Sequence, residues 1–146
     1  MKRCFIDTNV LLYAKDTTAP SKRKQATAWL AALERSGSAV LSAQSLREYY
    51  WNMLPGPNSA VVIKALRGEL AILDLLVPDE LRTDGLARAW DLQDRYRVSF
   101  WDALLLASAL AANCAIFLSE DLSHGQRIDG MTIVDPFTVA PGDVLA

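Results

Sequence analysis

The sequence predicts an α/β protein in which helices cover both faces of a mainly parallel sheet. Short apolar runs of strand type alternate along the chain with longer segments of helical periodicity, a pattern typical of βαβ units. Hydrophobic residues make up 51% of the 146 residues, enough for a sizeable core. We therefore expect a single domain over residues 1–146. In such sheets, ligands bind at the carboxyl ends of the strands.

The first half of the chain contains two strand patterns, each followed by helical sequence. Residues 3–6 predict a strand, and VLLYA predicts the helix after it. The run SKRKQATAWLAALERSG predicts an amphipathic helix, with Ser21 as its N-cap and Gly37 as its end. Further on, AVLSA predicts the second strand. AQSLREYYWNML predicts a helix that ends before PGP.

The second half continues this alternation. Residues 59–73 predict a helix and LLVP a strand. Residues 79–96 predict a helix whose inner face carries four apolar side chains: Leu81, Leu86, Ala89 and Leu92. SFWDALLLASALA is apolar on all sides and predicts a buried helix. CAIFLS and MTIVDP predict the last two strands, with the loop EDLSHGQRIDG between them.

Composition limits the classes of function. A net charge of −2 argues against a general nucleic-acid binder, but not against an enzyme with a local basic patch and a metal. No apolar run reaches the length of a membrane span, and MKRCFIDTN lacks the pattern of a secretory signal, so we expect a cytoplasmic protein. Cys4 and Cys114 predict buried thiols rather than a disulfide. Because His124 is the only histidine, a metal would be held by oxygen ligands.

Four acidic residues fall where such a sheet would bring them together. Asp7 ends the first strand, and Asp121 follows CAIFLS. Glu48 lies within the helix after the second strand, and Asp102 lies in the first turn of the buried helix. Taken singly, Asp7 and Asp121 could cap helices, and Asp102 could complete a capping box with the serine three residues earlier. Converging carboxylates repel one another, however, and a divalent cation such as Mg²⁺ or Mn²⁺ removes that repulsion.

Other phosphate chemistries are less well supported. A phosphatase of the haloacid-dehalogenase type needs a second aspartate at the position of Asn9. A response-regulator receiver needs a late lysine, whereas the last lysine here is Lys64. The sequence also has no glycine-rich loop for nucleotide phosphates.

The sequence resembles the PIN-domain ribonucleases, and in particular the VapC toxins of bacterial toxin–antitoxin pairs. Four segments carry the resemblance, in family order and across nearly the whole chain: FIDTNVLLYA, SAQSLREYYWNM, VSFWDALLLASA and FLSEDLSHGQRIDGMTIVDPF. The resemblance implies a three-layer α/β/α sandwich around a mainly parallel sheet of about five strands. The sequence departs from the family pattern at two places. Tyr49 and Tyr50 follow the second acid, where a single aromatic residue is more usual, and the segment PGPNSA is proline-rich.

The resemblance also implies roles for individual residues. Four acids would bind one or two Mg²⁺ or Mn²⁺ ions and serve as the catalytic residues: Asp7, Glu48, Asp102 and Asp121. Thr8 and Asn9 would help to arrange the site beside the first acid, and Ser119 would form a hydrogen bond near the metal. Glu120, adjacent to the fourth acid, leaves open whether it contributes as well.

The implied activity is metal-dependent hydrolysis of RNA phosphodiester bonds, with a VapB-like antitoxin as partner and a homodimer as assembly. Basic residues could contact RNA phosphates: Lys15, Lys22, Arg23, Lys24, Arg95, Arg97 and Arg127. Residues of a groove for the antitoxin tail, or alternatively of the core, are Trp29, Leu30, Tyr49, Tyr50 and Trp51. The run SAVVIKAL is a candidate dimer contact. Two alternatives are a catalytically silent PIN-like module that binds RNA or protein, and a metal-dependent phosphatase.

Overall fold

The computed structural model describes residues 2–56, 59–81 and 85–145. Its strands are β1 (Cys4–Ile6), β2 (Ala39–Val40), β3 (Ile116–Leu118), β4 (Arg127–Ile128) and β5 (Met131–Val134). Its helices are α1 (Thr8–Tyr13), α2 (Pro20–Ser36), α3 (Ala43–Met53), α4 (Ala60–Leu73), α5 (Leu86–Tyr96), α6 (Phe100–Ala111) and α7 (Pro141–Leu145). Short 3₁₀ turns occupy Asp74–Leu76 and Asp79–Leu81.

The five strands form one sheet in the order β2-β1-β3-β5-β4. β1 pairs in parallel with β2 and with β3, β3 pairs in parallel with β5, and β4 is antiparallel to β5. The register aligns Ile6 with Leu118, so the residues that follow β1 and β3 leave the sheet at the same edge. The prediction of a mainly parallel sheet of about five strands is therefore confirmed.

The helices pack in two groups. Helix α1 packs against α2 and α3, and α3 packs against α4, whereas α5 packs against α6. Together with the sheet they form the α/β/α architecture that the resemblance implied. In the sheet itself, the rings of Phe5 and Phe117 stack with their centroids 5.3 Å apart, which joins β1 to β3 in the core.

Helix α6 is buried along most of its length, as its sequence predicts. From Ala103 onward, six of its apolar residues are buried: Ala103, Leu105, Leu106, Ala107, Ala109 and Leu110. Its first turn differs, because Trp101 remains 64% exposed. The helix therefore anchors itself in the core and presents its N-terminal turn at the surface.

The boundaries of α2 agree with the sequence at one end only. Gly37 ends the helix with φ of 63°, the left-handed conformation that glycine adopts without penalty. The prediction of Ser21 as N-cap is wrong, because the helix begins at Pro20, after Ala19. Proline suits the first helical position, where the backbone N–H has no partner within the helix.

The predicted strand LLVP is wrong. Asp74–Leu76 continues α4 as a 3₁₀ turn, and the N–H of Val77 closes it by donating to the carbonyl of Asp74 at 3.1 Å. A short apolar run cannot be assigned to strand or helix by periodicity alone. One hydrogen bond, from Leu41 N–H to the Leu76 carbonyl at 3.0 Å, does join this turn to the end of β2.

The helix predicted over residues 79–96 is shorter than expected. A 3₁₀ turn covers its start and α5 begins at Leu86, while residues 82–84 lie outside the described part of the chain. Leu81, Ala89 and Leu92 are buried as predicted. Leu86 is 39% exposed, which contradicts its place on the inner face; it is the first residue of the helix.

One strand lies inside the predicted loop EDLSHGQRIDG. β4 forms a hairpin with β5 through Asp129 and Gly130, whose φ angles are 48° and 90°. An Asp-Gly pair with positive φ at both residues is the preferred two-residue hairpin turn, so the sequence contained this signal. The short C-terminal helix α7 was also not predicted.

Burial separates the aromatic residues considered as groove candidates. Trp29 and Tyr49 are 0% and 1% exposed and belong to the core, so their alternative interpretation as core residues is the correct one. Tyr50 and Leu30 pack partly buried against the core, and Trp51 is 77% exposed.

Both cysteines are free, buried thiols, as predicted. Burial raises the pKa of each thiol, which makes them unreactive at neutral pH. None of the helices in residues 2–56, 59–81 and 85–145 is long and apolar enough to cross a membrane.

The left-handed end of α2 generates a prediction about stability. An added Cβ at Gly37 would meet no atom within 4 Å, so the cost of Gly37→Ala comes only from its φ of 63°. We expect a loss of roughly 1 kcal/mol in the free energy of unfolding, measured by urea denaturation.

Gly68→Ala is the matched control, because Gly68 is exposed within α4 and also has open space around it. There, alanine should stabilise by roughly 0.5–1 kcal/mol through its higher helix propensity. Equal effects of the two substitutions would contradict the account of Gly37.

Candidate active site

Asp7 lies at the carboxyl end of β1 and occupies the N-cap position of α1. Its side chain makes no capping hydrogen bond, so capping does not explain the residue. Instead, its carboxylate accepts a hydrogen bond of 2.8 Å from the hydroxyl of Ser119. The residue is only 6% exposed, and a carboxylate buried to this extent is costly unless it has a partner.

Ser119 connects two of the predicted acids. Besides donating to Asp7, its Oγ accepts a hydrogen bond from the backbone N–H of Asp121 at 3.1 Å. The backbone N–H of Asp7 donates to the carbonyl of Leu118 at 3.1 Å. Because β1 and β3 are parallel neighbours, these bonds hold the residues that follow both strands at one edge of the sheet.

Thr8 joins α1 to the acid on α3. Its hydroxyl donates to Oε2 of Glu48 at 2.7 Å. The side-chain amide of Gln44 donates to Oε1 of Glu48 at 2.8 Å. Sequence reasoning missed Gln44, although its position four residues before Glu48 on a helix was a usable signal. The two donors fix the position of the Glu48 carboxylate.

Asn9 holds the acid that follows β3. Its side-chain amide donates to Oδ2 of Asp121 at 2.6 Å. Thr8 and Asn9, in the first turn of α1, thus each bind a different carboxylate. The structure places all three residues predicted to support the site in hydrogen bonds with predicted acids: Thr8, Asn9 and Ser119.

Asp102 lies in the first turn of α6, where Ser99 is the N-cap. The Oγ of Ser99 accepts a hydrogen bond from the backbone N–H of Asp102 at 3.1 Å, which is one half of the expected capping box. The side chain of Asp102 is half-buried and near two other acids, since the charges of Asp121 and Glu48 act on it. Burial raises the pKa of Asp102 and its hydrogen bond with Ser99 opposes the rise, so Asp102 interacts with its N-cap residue as well as with nearby carboxylates.

The charges of the other three acids act on Asp7. Burial raises the pKa of Asp7 from 3.8 to about 6; the hydrogen bond from Ser119 opposes this, and the charges of Asp121, Asp102 and Glu48 add to it. Burial also raises the pKa of Asp102, again with contributions from neighbouring carboxylates. The neighbouring negative charges thus disfavour the ionised forms of Asp7 and Asp102.

This set of side chains fits a divalent cation of the Mg²⁺ type, because every candidate ligand is a carboxylate oxygen. In the described ranges, no three His, Cys, Asp or Glu side chains are already arranged as a metal site. The hydrogen bonds to Glu48 and Asp121 occupy oxygens that would serve as ligands. Binding would therefore require these carboxylates to rotate or to share their oxygens.

Glu120 is engaged elsewhere. Its carboxylate accepts a hydrogen bond of 2.7 Å from the ammonium of Lys22. The same ammonium lies 4.7 Å from the ring centroid of Tyr13 and 5.1 Å from that of Phe137. Glu120 is thereby held by α2, whereas its neighbour Asp121 is bound by Asn9.

The basic residues considered for RNA contacts differ in their surroundings. Arg95 binds Asp91 and Asp129 at 2.7 and 2.8 Å, so it links α5 to the β4–β5 turn. Arg127 donates to the carbonyl of Gly130 at 3.1 Å. The remaining basic candidates on α2 and after α5 are exposed: Arg23, Lys24 and Arg97. Lys15, just after α1, lies 3.9 Å from Glu69, and Lys22, in the first turn of α2, binds Glu120.

His124 has a structural role. Its Nδ1 accepts a hydrogen bond of 3.0 Å from the backbone N–H of Asp135, which ties the loop after β3 to the end of β5.

Comparison with known proteins identifies the class. The model of the PIN domain family matches residues 4–127, and the chain belongs to this family. The structure is similar to a chain in the crystal structure of VapBC2 from Rickettsia felis bound to a DNA fragment from their promoter. The TM-score is 0.58 at 14% identity, covering 89% of this chain and 96% of that one, so the likeness is one of fold. No curated protein matches the chain.

The raised pKa of Asp7 predicts how stability depends on pH in protein kept free of metal with EDTA. Between about pH 4 and pH 6, the folded state binds more protons than the unfolded state, because the pKa of Asp7 rises from 3.8 to about 6 on folding. The free energy of unfolding should therefore fall as pH rises through this window. Asp7→Asn should remove the fall and stabilise the protein at pH 7.5 by roughly 2–3 kcal/mol.

Urea denaturation at several pH values measures this effect. The control is Asp94→Asn, which removes an exposed carboxylate of α5. A loss of stability at pH 7.5 in Asp7→Asn would show that the carboxylate serves the fold instead.

Proposed function

We propose that this PIN-domain protein is a Mg²⁺- or Mn²⁺-dependent endoribonuclease and the toxin of a VapBC-type toxin–antitoxin pair. PIN domains are generally nucleases that use divalent metals, which gives the class of activity. The observation that carries the proposal is the set of hydrogen bonds at one edge of the sheet that joins three of the acids through Ser119, Thr8 and Asn9. Burial raises the pKa of Asp7 there, and the charges of the other three acids add to the rise. If these side chains served only the stability of the fold, negative charges would not be placed close to one another, because their repulsion is unfavourable.

Under this proposal, each residue of the site has a defined task. The four acids Asp7, Glu48, Asp102 and Asp121 hold the cation. A bound cation would supply an activated water and neutralise charge on the leaving oxygen of the phosphodiester. Ser119 and Thr8 orient Asp7 and Glu48 through their hydroxyls, and Asn9 orients Asp121.

RNA is the proposed substrate, and single-stranded or looped RNA suits the site better than a duplex, because its bases can be splayed against protein side chains. We propose that its phosphates contact basic residues on α2, after α5 and on β4: Lys22, Arg23, Lys24, Arg97 and Arg127. We also propose a VapB-like antitoxin as partner, since the similar fold comes from a VapBC2 assembly.

A cytoplasmic homodimer completes the proposal. The segment considered as a dimer contact, SAVVIKAL, includes Val61 and Val62, which are 84% and 55% exposed on α4, and the buried Leu66. Exposed apolar residues on one helix suit an interface between two copies.

The two alternatives predict different outcomes. A silent PIN-like module would bind RNA or protein without cleaving it, and a phosphatase would act on small phosphoesters. The nuclease is favoured because all four acidic positions are occupied and neighbouring donors hold three of the carboxylates, those of Asp7, Glu48 and Asp121.

The first test is cleavage of RNA by purified protein with Mg²⁺ or Mn²⁺. We expect chelation by EDTA to stop cleavage, and Asp7→Asn to reduce the rate by more than about 100-fold, because a metal ligand is lost. Asp94→Asn, on α5, should keep the rate of the original protein. Cleavage that persists in Asp7→Asn would indicate a contaminating nuclease and contradict the proposal. Hydrolysis of small phosphoesters without cleavage of RNA would favour the phosphatase.

A second test addresses the hydrogen bond between Thr8 and Glu48, which spans 2.7 Å. Thr8→Val keeps the shape of the side chain but removes the hydroxyl, so Glu48 loses one of its two donors. We expect the affinity for Mn²⁺, measured by isothermal titration calorimetry, to fall about tenfold.

Thr8→Ser is the matched variant, since it retains the hydroxyl and should bind Mn²⁺ within about twofold of the original protein. Equal affinities of the valine and serine variants would refute a positioning role for Thr8.

A further inference from the structure

A cavity of about 500 Å³ opens directly beside the acidic cluster. One of the four acids, Asp121, lines the cavity together with Asn9, which binds it. The other lining residues lie at the end of α1, just after it, at the end of α3 and at Glu120. This volume lies within the range of small-molecule sites and is large enough for one nucleotide. A phosphodiester held at the acids would have its neighbouring nucleoside at the mouth of this cavity.

Three of the lining residues offer apolar or aromatic surface against which a nucleobase can stack: Leu12, Tyr13 and Met53. Leu12 and Met53 supply apolar surface that is partly buried against the core. Tyr13 supplies an aromatic wall whose position is fixed, because Phe137 contacts it edge-on at 5.2 Å and Lys22 lies over its ring. Rigid aromatic and apolar walls bind nucleobases by stacking, whichever base is present.

Three acidic residues line the cavity, Asp16, Glu120 and Asp121, and Lys15 places a cation at its rim. Glu120 is paired with the ammonium of Lys22 at 2.7 Å. Asp16 accepts hydrogen bonds from the N–H and the hydroxyl of Thr18 at 2.9 and 2.6 Å. Lys15, half-exposed at the rim, lies 3.9 Å from its nearest acid, Glu69, and is therefore only loosely paired. Its ammonium can bind a phosphate of the chain that enters the cavity.

Asn52 gives the cavity a means to distinguish bases. Its amide nitrogen donates to the carbonyl of Glu48 at 2.8 Å, which fixes the orientation of the amide. Asn52 lines the cavity as an exposed residue, and its side-chain carbonyl has no hydrogen-bond partner among the described residues. A carbonyl accepts a hydrogen bond from the exocyclic amino group of cytosine, adenine or guanine. Uracil has a carbonyl at the ring position where cytosine has its amino group, and that carbonyl cannot donate.

We infer that this cavity binds the base of the nucleotide next to the scissile phosphate, and that Asn52 makes it prefer amino-bearing bases over uracil. This inference rests on the proposed nuclease function and adds to it a subsite and a specificity-determining residue. In this account Asn52 contacts the substrate base and is not a ligand of the cation.

The test is an NMR titration of the metal-free protein with CMP, UMP and inorganic phosphate. CMP and UMP have nearly the same shape and differ at the amino group, so their affinities isolate the hydrogen bond to Asn52. We expect amide resonances of Leu12, Asn52 and Met53 to shift with CMP, and CMP to bind about fivefold more tightly than UMP.

Asn52→Ala should bring the ratio of the two affinities to about one. Gln93→Ala is the matched control, since it removes a side-chain amide from α5, outside the cavity, and should keep the ratio. Equal affinities for CMP and UMP in the original protein, or equal shifts with inorganic phosphate, would overturn the inference.

Two results distinguish a failure of the base subsite from a failure of the proposed nuclease function. RNA cleavage without any response of the cavity to nucleotides would overturn the subsite alone. A cavity that binds CMP selectively in a protein that cleaves no RNA would overturn the nuclease alone.

Discussion

The mutual repulsion of carboxylates at the ends of β1 and β3 is the constraint on which the site depends. Parallel pairing of these strands brings Asp7 and Asp121 to one edge, and α3 and α6 add two more acids there. The protein holds this charge with short hydrogen bonds from Ser119, Thr8 and Asn9. Its large apolar core offsets the electrostatic cost, since α6 alone buries six residues behind Asp102.

The sequence allowed the sheet, most helices and the convergence of the acids to be predicted, because alternating patterns and strand ends have direct spatial consequences. It failed where local chemistry was ambiguous. LLVP reads equally well as a strand or a turn, and its hydrogen bond to Leu41 depends on where β2 lies. The β4–β5 hairpin was missed although Asp129–Gly130 is a strong turn signal, because the segment around it is polar.

Within the candidate site, residue types were easier to predict than partners. The predicted strands and helices indicate which element carries each acid. No pattern in the sequence, however, indicates that the hydroxyl of Thr8 forms a hydrogen bond with Glu48, forty residues away. Likewise, the sequence shows Lys22 as one cation in a basic run, whereas its ammonium lies over the rings of Tyr13 and Phe137 and binds Glu120. Such contacts follow from the packing of α1, α2 and the loop after β3, which is known only once the fold is known.

The two outer strands of the sheet determine how other molecules can attach to it. β2 and β4 are each two residues long, so the sheet presents almost no row of unpaired backbone groups at either side. Strand addition by a foreign peptide, and edge-to-edge association of copies, both need a longer template than this. Macromolecules that recognise this protein must therefore read its side chains on helices, loops and cavities rather than extend its backbone ladder.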